Sequence, residues 1–402
     1  MKVLSLFDGM SCGHQALERA GIDVDTYYAS EIDKYAIQVT MANYPDTIQL
    51  GSVVDINALE LPKIDLLLGG SPCQSFSFAG KRKGMSTKDE QEILTLEHYL
   101  QLKSEGYEFE GQSYLFWEYM RILEELRVKN PNVLFLLENV EMGAKWEKVL
   151  SNAIGVRGIH INSALVSAQN RKRIYWINWG MKPSGLFGDM ESIIEQPKDR
   201  GILLKDILES QVEEKYFLSE KRINTIQQSK RKVKHLNFES EKHNCLISGY
   251  GKIPTDGQYI VHNMMPRSST TGKGGTGHLS RNDGKTYCLD TGNTNAVEIV
   301  LTSKDKRLKQ TIDENNLIDG EVKALDVYNQ SIHDRYPTLK DPKHNDRALF
   351  DGSRIRRLTP KECMRLQTVD DNYLMPVSDS QKYKVLGNGW TIEVISYLFK
   401  HI

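Results

Sequence analysis

Long apolar runs, cysteine and net charge are all scarce in this chain, and each scarcity removes a class of protein. No stretch of the 402 residues approaches the ~18 consecutive apolar residues that a membrane helix requires. Met1 runs straight into the strand-like Val3–Phe7, so no signal peptide is expected and the cytoplasm is the expected compartment. Five cysteines, an odd number without CxxC spacing, argue against a disulfide framework and against structural zinc. A formal charge of −1, from 52 basic and 53 acidic side chains, excludes a uniformly basic nucleic-acid binder. No repeat of fixed period is present. What remains, 39% hydrophobic and 26% charged residues over a length sufficient for two domains, is the composition of a globular enzyme.

The first 180 residues alternate strand and helix patterns. Val3–Phe7, Thr26–Ser30, Ile64–Leu68 and Val133–Leu137 read as buried strands. Helix patterns cover His14–Ala20 and Ile32–Asn43. Such a rhythm predicts an α/β fold, a Rossmann-like doubly wound and mostly parallel sheet, whose ligands gather at the carboxyl ends of the strands. Asp8, Glu31, Pro72-Cys73 and Glu138 stand at those ends. From about Met181 the rhythm fades into Gly-, Ser-, Thr- and Asn-rich sequence, so residues 1–180 with 351–402 are expected as one domain and 181–350 as a smaller, loop- and strand-rich second one. Helix pattern returns at Thr359-Pro360, with Thr as N-cap and Pro at the first helical position.

Four clusters could carry chemistry. Asp8-Gly-Met-Ser-Cys-Gly13 is either an ordinary tight turn or a loop whose small residues let backbone amides approach a ligand. Glu31, one strand further on, can accept ribose hydroxyls. The loop lacks GxGxxG spacing, so an adenosine cofactor without phosphates, such as S-adenosylmethionine, suits it better than a dinucleotide. Cys73, in Gly70-Ser-Pro-Cys-Gln74, is either a small buried thiol or a nucleophile presented on a rigid turn. Glu138-Asn139 is either a helix cap or a cleft carboxyl able to act as an acid. Arg171 and Arg173, alternating around Lys172, share a face on extended backbone, either as a solvated edge or as a charged wall of a site.

Taken in order, Asp8-Gly-Met-Ser-Cys-Gly13, Pro72-Cys-Gln74, Glu138-Asn-Val140, Gln169-Asn-Arg-Lys-Arg173, Arg357-Leu-Thr-Pro-Lys-Glu-Cys363 and Gly387-Asn-Gly-Trp-Thr391 resemble the motif series of the C5-cytosine DNA methyltransferases. The resemblance covers residues 1–180 and 351–402. It implies methyl transfer from S-adenosylmethionine, without metal, to C5 of a cytosine flipped out of duplex DNA. Cys73 would attack C6, Glu138 would support N3, and Arg171 and Arg173 would hold the base and favour the thiolate. Phe7, Asp8, Gly9, Met10, Gly13, Glu31, Ile32, Val53, Pro72, Asn388 and Trp390 would line the cofactor pocket. Gln74, Ser75, Lys81, Arg82 and Arg267 would touch DNA, Arg267 from a target-recognition domain in the second half. The resemblance also suits a monomer, a phage or bacterial source, and a companion restriction endonuclease. Its rivals are an RNA methyltransferase of the branch that modifies a transfer-RNA loop, and a catalytically inactive DNA-binding regulator.

Four departures from the usual family pattern stand out. Ser71 replaces the common Phe before Pro-Cys. Gly51-Ser52 replaces Gly-Asp, which leaves Val53 as the adenine neighbour. Gly389-Trp390 replaces Ser-Val. About two dozen residues, Thr87–Glu110, are inserted after the Pro-Cys-Gln block, either as a packed surface helix or as an element that shapes DNA contact. The Gly-Gly-Ser-Pro-Cys run and Trp390 are similar to the de novo animal enzymes and their phage or bacterial relatives. The near-neutral charge is also uneven. Residues 221–281 carry eleven Lys and Arg against three Asp and Glu, a net +8, so the remainder of the chain carries −9. Lys230-Arg-Lys-Val-Lys234, superficially a nuclear-localisation signal, is better suited to phosphate contact in that setting.

Overall fold

The structure, a computed structural model, describes residues 1–72, 85–184, 189–216 and 358–402, together with six short strands between 243 and 356. It divides into two compact units, Met1–Ile202 with Cys245–Ser248 and Met364–Ile402, and Leu203–Asn244 with Gly249–Cys363.

The first unit begins β1 (Lys2–Leu6), α1 (Cys12–Ala20), β2 (Thr26–Ser30), α2 (Lys34–Asn43), β3 (Ile48–Gln49) and β4 (Leu66–Gly69). It continues through α3 (Leu96–Ser104), α4 (Leu115–Lys129), β5 (Leu134–Val140), α5 (Ala144–Ile154), β6 (Ile159–Asn162), β7 (Gln169–Asn170) and β8 (Lys172–Ile177), then the hairpin β9 (Met181–Ser184) and β10 (Asp189–Ser192). Seven of these strands form one sheet in the order β3-β2-β1-β4-β5-β8-β6. The ladders from β3 to β5 are parallel, and β8 runs antiparallel to both β5 and β6. This is the expected doubly wound, mostly parallel sheet. Its strands are near-continuous apolar runs because helices cover both faces: every residue of Leu66–Gly69 is buried. The strand order reverses between β1 and β4, so the loops after Leu6 and after Gly69 part there and open a crevice.

One boundary differs from the sequence expectation in a way that matters. The strand foreseen over Val133–Leu137 runs on to Val140, so Glu138 and Asn139 belong to it rather than capping a helix. The parallel ladder with β4 stops at Gly69↔Leu137. Antiparallel β8 pairs with β5 from Leu136↔Ile177 to Val140↔Arg173 and carries the strand onward.

The inserted segment is integral to the core. Met85 and Ile93 are fully buried and joined by a backbone hydrogen bond, and Tyr99 and Leu102 of α3 enter the same core. Glu118 of α4, fully buried, accepts from Tyr99 Oη, from Lys103 Nζ (2.5 Å) and from Arg121 Nε (2.7 Å). A buried carboxylate is tolerable only with such charge-assisted partners.

In the second unit, α6 (Leu204–Ile207) is followed by β11 (His243–Asn244), β12 (Ile260–Val261), β13 (Lys323–Asp326), β14 (Ser331–His333), β15 (Arg347–Phe350) and β16 (Ile355–Arg356). Antiparallel β14 and β15 flank β13, and β12 pairs with β16. The chain then enters α7 (Pro360–Leu366). Thr359 Oγ1 accepts the Glu362 N–H at 3.1 Å, and Glu362 Oε2 accepts the Thr359 N–H at 2.8 Å, a reciprocal cap at the predicted helix start. Returning to the first unit, α8 (Asp379–Asn388) and α9 (Ile392–Phe399) close the fold, with α9 packed along α1. Among the described residues no helix is long and apolar enough to cross a membrane.

Candidate active site

The loop from β1 to α1 is bent by three left-handed residues, Phe7 (φ 56°), Gly9 (φ 62°) and Ser11 (φ 55°). Two of these are not glycine, so the conformation carries a cost that its surroundings must offset. Asp8 supplies part of the compensation. Its carboxylate accepts from Tyr27 Oη at 2.8 Å and from Ser11 Oγ at 2.5 Å, and Ser11 Oγ lies 3.1 Å from Thr40 Oγ1. Burial of Asp8 raises its pKa against the lowering effect of these hydroxyls. Asp8 therefore braces the loop from beneath, while Gly9 N donates to Glu31 Oε2 at 2.8 Å.

Glu31, at the end of β2, also accepts the N–H groups of Ile32 and Asp33, both at 2.8 Å. A carboxylate can accept about four hydrogen bonds, so three backbone donors fix its orientation and leave capacity for a ligand hydroxyl. Beside it Ile32 is 72% exposed, an aliphatic face beside a polar acceptor. Val53 is buried and starts a 3-10 turn after Gly51. A polar acceptor, an apolar face and a glycine-bearing loop suit an adenosine moiety.

Gly13, Gly70 and Trp390 define the floor between the two halves of the crevice. A Cβ on Gly13 would stand 2.7 Å from Leu68 Cδ1 and 3.7 Å from Trp390 Cζ3. One on Gly70 would stand 2.8 Å from Trp390 Nε1 and 3.3 Å from Glu138 Oε2. Neither position has room for a side chain, so Trp390 lies against both the first loop and the turn after β4. Met10 is buried, and its carbonyl accepts from Tyr373 Oη at 2.6 Å. Pro72 is half-buried and Asn388 is exposed.

Glu138, 8% exposed, lies 2.9 Å from Arg173 Nε through Oε1. Arg171 is not a solvated edge. It is 3% exposed, and Nη2 donates to the Gly389 carbonyl at 2.8 Å and reaches that of Gly387 at 3.4 Å. Sequence reasoning missed the polar set behind it. Gln169 Nε2 donates to Leu366 O (2.8 Å) and Gln367 Oε1 (2.9 Å), Gln367 Nε2 donates to Leu386 O (2.7 Å), and Ser163 Oγ meets Thr391 Oγ1 at 2.8 Å. The one available signal was an uncharged Gln opening the Arg-rich block.

The structure thus brings together Asp8, Gly9, Gly13 and Glu31 on one side, and Glu138, Arg171, Arg173 and Trp390 on the other. Cys73, Gln74, Ser75, Lys81, Arg82 and Arg267 lie outside the described residues, as do Lys230–Lys234. Among the described residues no group of three or more His, Cys, Asp or Glu could hold a metal ion.

A family model described as C-5 cytosine-specific DNA methylase matches residues 1–402. The orphan methyltransferase M.SPRI of Bacillus phage SPR is 27% identical, over 100% of this chain and 97% of its own length. The type II methyltransferase M.BanI of Aneurinibacillus aneurinilyticus is 26% identical, over 100% and 95%. Among solved structures, a mutant DNMT2 of Spodoptera frugiperda matches with TM-score 0.54 at 20% identity, over 99% of this chain and 98% of the other. The Entamoeba histolytica methyltransferase EhMeth matches at 0.57 and 13% identity, over 100% and 97%. At these identities the structural matches speak to the fold.

Proposed function

Because the chain belongs to the C-5 cytosine-specific DNA methylase family, and is therefore a DNA (cytosine-5)-methyltransferase, we propose that it methylates C5 of a flipped-out cytosine within a specific duplex sequence. The observation that carries this is the crevice at the β1/β4 reversal, with the Arg173–Glu138 pair on one wall and the Glu31-anchored loop on the other.

The cofactor of this reading is S-adenosyl-L-methionine, which supplies an electrophilic methyl group on a sulfonium. Glu31 would accept a ribose hydroxyl and Ile32 and Val53 would flank the adenine. Phe7, Asp8, Gly9, Met10 and Gly13 would form the loop beneath the amino-acid end, with Pro72, Asn388 and Trp390 closing it. Cys73, as a thiolate, forms a bond to C6, and the displaced π pair makes C5 nucleophilic. Glu138 stabilises the charge pushed into the ring by hydrogen bonding at N3. Arg173 orients Glu138, and Arg171 ties the base-binding wall to the Gly387–Gly389 turn. C5 would take the methyl group as the S–CH3 bond breaks and the neutral thioether S-adenosylhomocysteine leaves. C5 would then lose its proton to a base or water, and the returning pair would re-form the C5–C6 double bond and expel Cys73 as a thiolate. A target base inside a duplex must first leave the stack, which costs a few kcal/mol.

Gln74, Ser75, Lys81 and Arg82 would contact the DNA beside the flipped base. The second unit, with its +8 segment and Arg267, would supply sequence readout in the major groove. The enzyme would act as a monomer in the cytoplasm. A companion endonuclease is compatible with this reading, although M.SPRI is named an orphan. Duplex DNA is preferred over RNA as substrate because so long a second region suits duplex readout. Bisulfite sequencing of DNA from expressing cells tests activity and site together, and labelled methyl incorporation into duplex DNA against transfer RNA tests the substrate. Incorporation into transfer RNA in preference to DNA overturns the reading.

A further inference from the structure

The turn that leads into Cys73 is tied to the strand that carries Glu138 by one side-chain link. Asn139 Nδ2 donates to Ser71 Oγ at 3.0 Å and to Ser71 O at 3.3 Å. Ser71 and Asn139 are both buried. The amide orientation is fixed independently, because Asn139 Oδ1 accepts the Val140 N–H at 2.8 Å, which only the oxygen of the amide can do. The NH2 group therefore faces Ser71, with the hydroxyl the nearer of its two acceptors.

The link continues the register of the sheet. The β4–β5 ladder ends at Gly69↔Leu137, and Ser71 and Asn139 each lie two residues further on. Side-chain hydrogen bonds replace the ladder just where the backbones part. Ser71 stands two residues before Cys73, and Asn139 directly follows Glu138. On the far side of the turn Gly70 is pressed against Trp390, so residues 70–72 are held from two directions. The sequence pattern of the family has an apolar aromatic at position 71, which could fill space there but could not accept a hydrogen bond.

We propose that the Ser71 hydroxyl is a positioning group for methyl transfer. Its bond to Asn139 sets the spacing between the nucleophile's turn and the Glu138 strand, in place of packing by a large side chain. This rests on the proposed methyl-transfer reading, in which Cys73 and Glu138 act on the same base. Removing the hydroxyl takes the nearer acceptor from the buried Asn139 amide and leaves only the Ser71 carbonyl at 3.3 Å, which frees the turn to shift. Such a shift lowers the rate of bond formation more than it lowers ligand binding.

The test compares wild type with Ser71→Ala, Ser71→Cys and Ser71→Thr. The readouts are melting temperature, affinity for S-adenosylhomocysteine, kcat, and the rate of covalent trapping on a duplex carrying 5-fluorocytosine at the target, where loss of the C5 substituent is blocked. Thiol sulfur is a weak acceptor, so Ala and Cys are expected to lose about tenfold or more in kcat and in trapping rate. Product-analogue affinity should stay within about twofold, and Thr should restore both rates. Should Ala melt early, the near-isosteric Cys decides against Thr. Wild-type rates in Ala and Cys, or a loss of analogue affinity that parallels the loss of rate, overturns the inference. A wild-type protein that neither methylates nor becomes trapped on duplex DNA defeats instead the methyl-transfer reading beneath it.

Discussion

Arg173 Nε lies 2.9 Å from Glu138 Oε1, while Glu138 Oε2 faces Gly70, 3.3 Å from where a Cβ would sit. One oxygen is held by a cation and the other lies beside the turn that follows β4. Glu138→Gln keeps the shape and removes the charge and the proton that could be shared with N3. It should lower kcat by about 100-fold or more, with little change in melting temperature or product-analogue affinity. Arg173→Lys should cost less, because an ammonium retains the charge but not the directed Nε donor. Single-turnover methylation of a hemimethylated duplex measures both. Full activity in Glu138→Gln removes Glu138 from the mechanism.

Gly70 offers a second, purely steric test. Ala there places a methyl 2.8 Å from Trp390 Nε1, and an indole cannot yield as a flexible chain end does. Overpacking of this kind costs about 1–3 kcal/mol. Gly70→Ala should lower the melting temperature and weaken methylation by displacing Trp390 and Glu138 together. In a Trp390→Val background the same Gly70→Ala change should lower the melting temperature less than it does in the wild type. An equal drop in both backgrounds shows that Trp390 is not what the added methyl meets.

Two titratable groups around the first loop predict opposite pH trends. His14 is sandwiched between Tyr44 (3.9 Å between ring centroids) and Tyr27 (4.6 Å), and burial lowers its pKa from the usual 6.5. The fold prefers neutral His14, so its contribution is present above the unfolded value near 6.5 and is lost as pH falls through the lower folded one. Asp8 is raised by burial, so the fold prefers it protonated. Its contribution is present below the unfolded value near 3.8 and is lost as pH rises through the folded one. Relative to wild type, His14→Phe should gain melting temperature as pH falls from about 7.5 to 5. Asp8→Asn should gain it as pH rises from about 4. Parallel trends in the two variants contradict the assignment.

Much of this arrangement was legible because it is local. Leu66–Gly69 is an apolar run ended by a turn, and Thr359-Pro360 with Glu362 is a helix start that any reader of caps can find. The polar residues at the strand ends fell where a doubly wound sheet places ligands. What escaped was non-local. Nothing near Val133 announces that residues 172–177 will return antiparallel and extend β5 through Glu138. Gln169 and Gln367 find each other across 198 positions, and neither carries a periodic signal. Asp8 looked like a ligand contact, and only the fold shows Tyr27 and Ser11 engaging its two oxygens.

The inserted segment was open to two readings, and its packing narrows what an experiment on it can mean. Deleting residues 87–110 would strip Ile93, Tyr99 and Leu102 from the core and leave Glu118 without its Tyr99 and Lys103 partners. Such a protein should fail to fold, so loss of activity would say nothing about DNA. Point changes separate the roles. Lys103→Met removes a cation from a fully buried carboxylate that Arg121 still holds. Uncompensated buried charge costs about 3–5 kcal/mol, and the remaining Arg121 pair should keep the loss toward or below the lower end, read as a fall in melting temperature with unaltered DNA affinity. By contrast, reversing exposed Lys88, paired with Glu108 at 2.5 Å on the surface, should leave the melting temperature nearly unchanged. If Lys88→Glu weakens duplex binding while the melting temperature holds, the segment touches DNA. If binding also holds, Lys88 makes no DNA contact.

The hidden charge asymmetry gives the last prediction. Phosphate contacts release condensed counterions, so log affinity falls with log salt by about 0.9 per contact neutralised. An enzyme of formal charge −1 would show almost no slope if its charges were evenly mixed. With +8 gathered in residues 221–281, duplex affinity should fall by at least tenfold between about 50 and 200 mM salt. Replacing Lys230, Arg231, Lys232 and Lys234 by Gln should flatten that slope while leaving affinity for S-adenosylhomocysteine unchanged, because the residues proposed to hold the cofactor belong to the first unit. Fluorescence anisotropy on a labelled duplex measures both quantities. A slope untouched by the four substitutions would move the phosphate contacts elsewhere, first to Lys81 and Arg82.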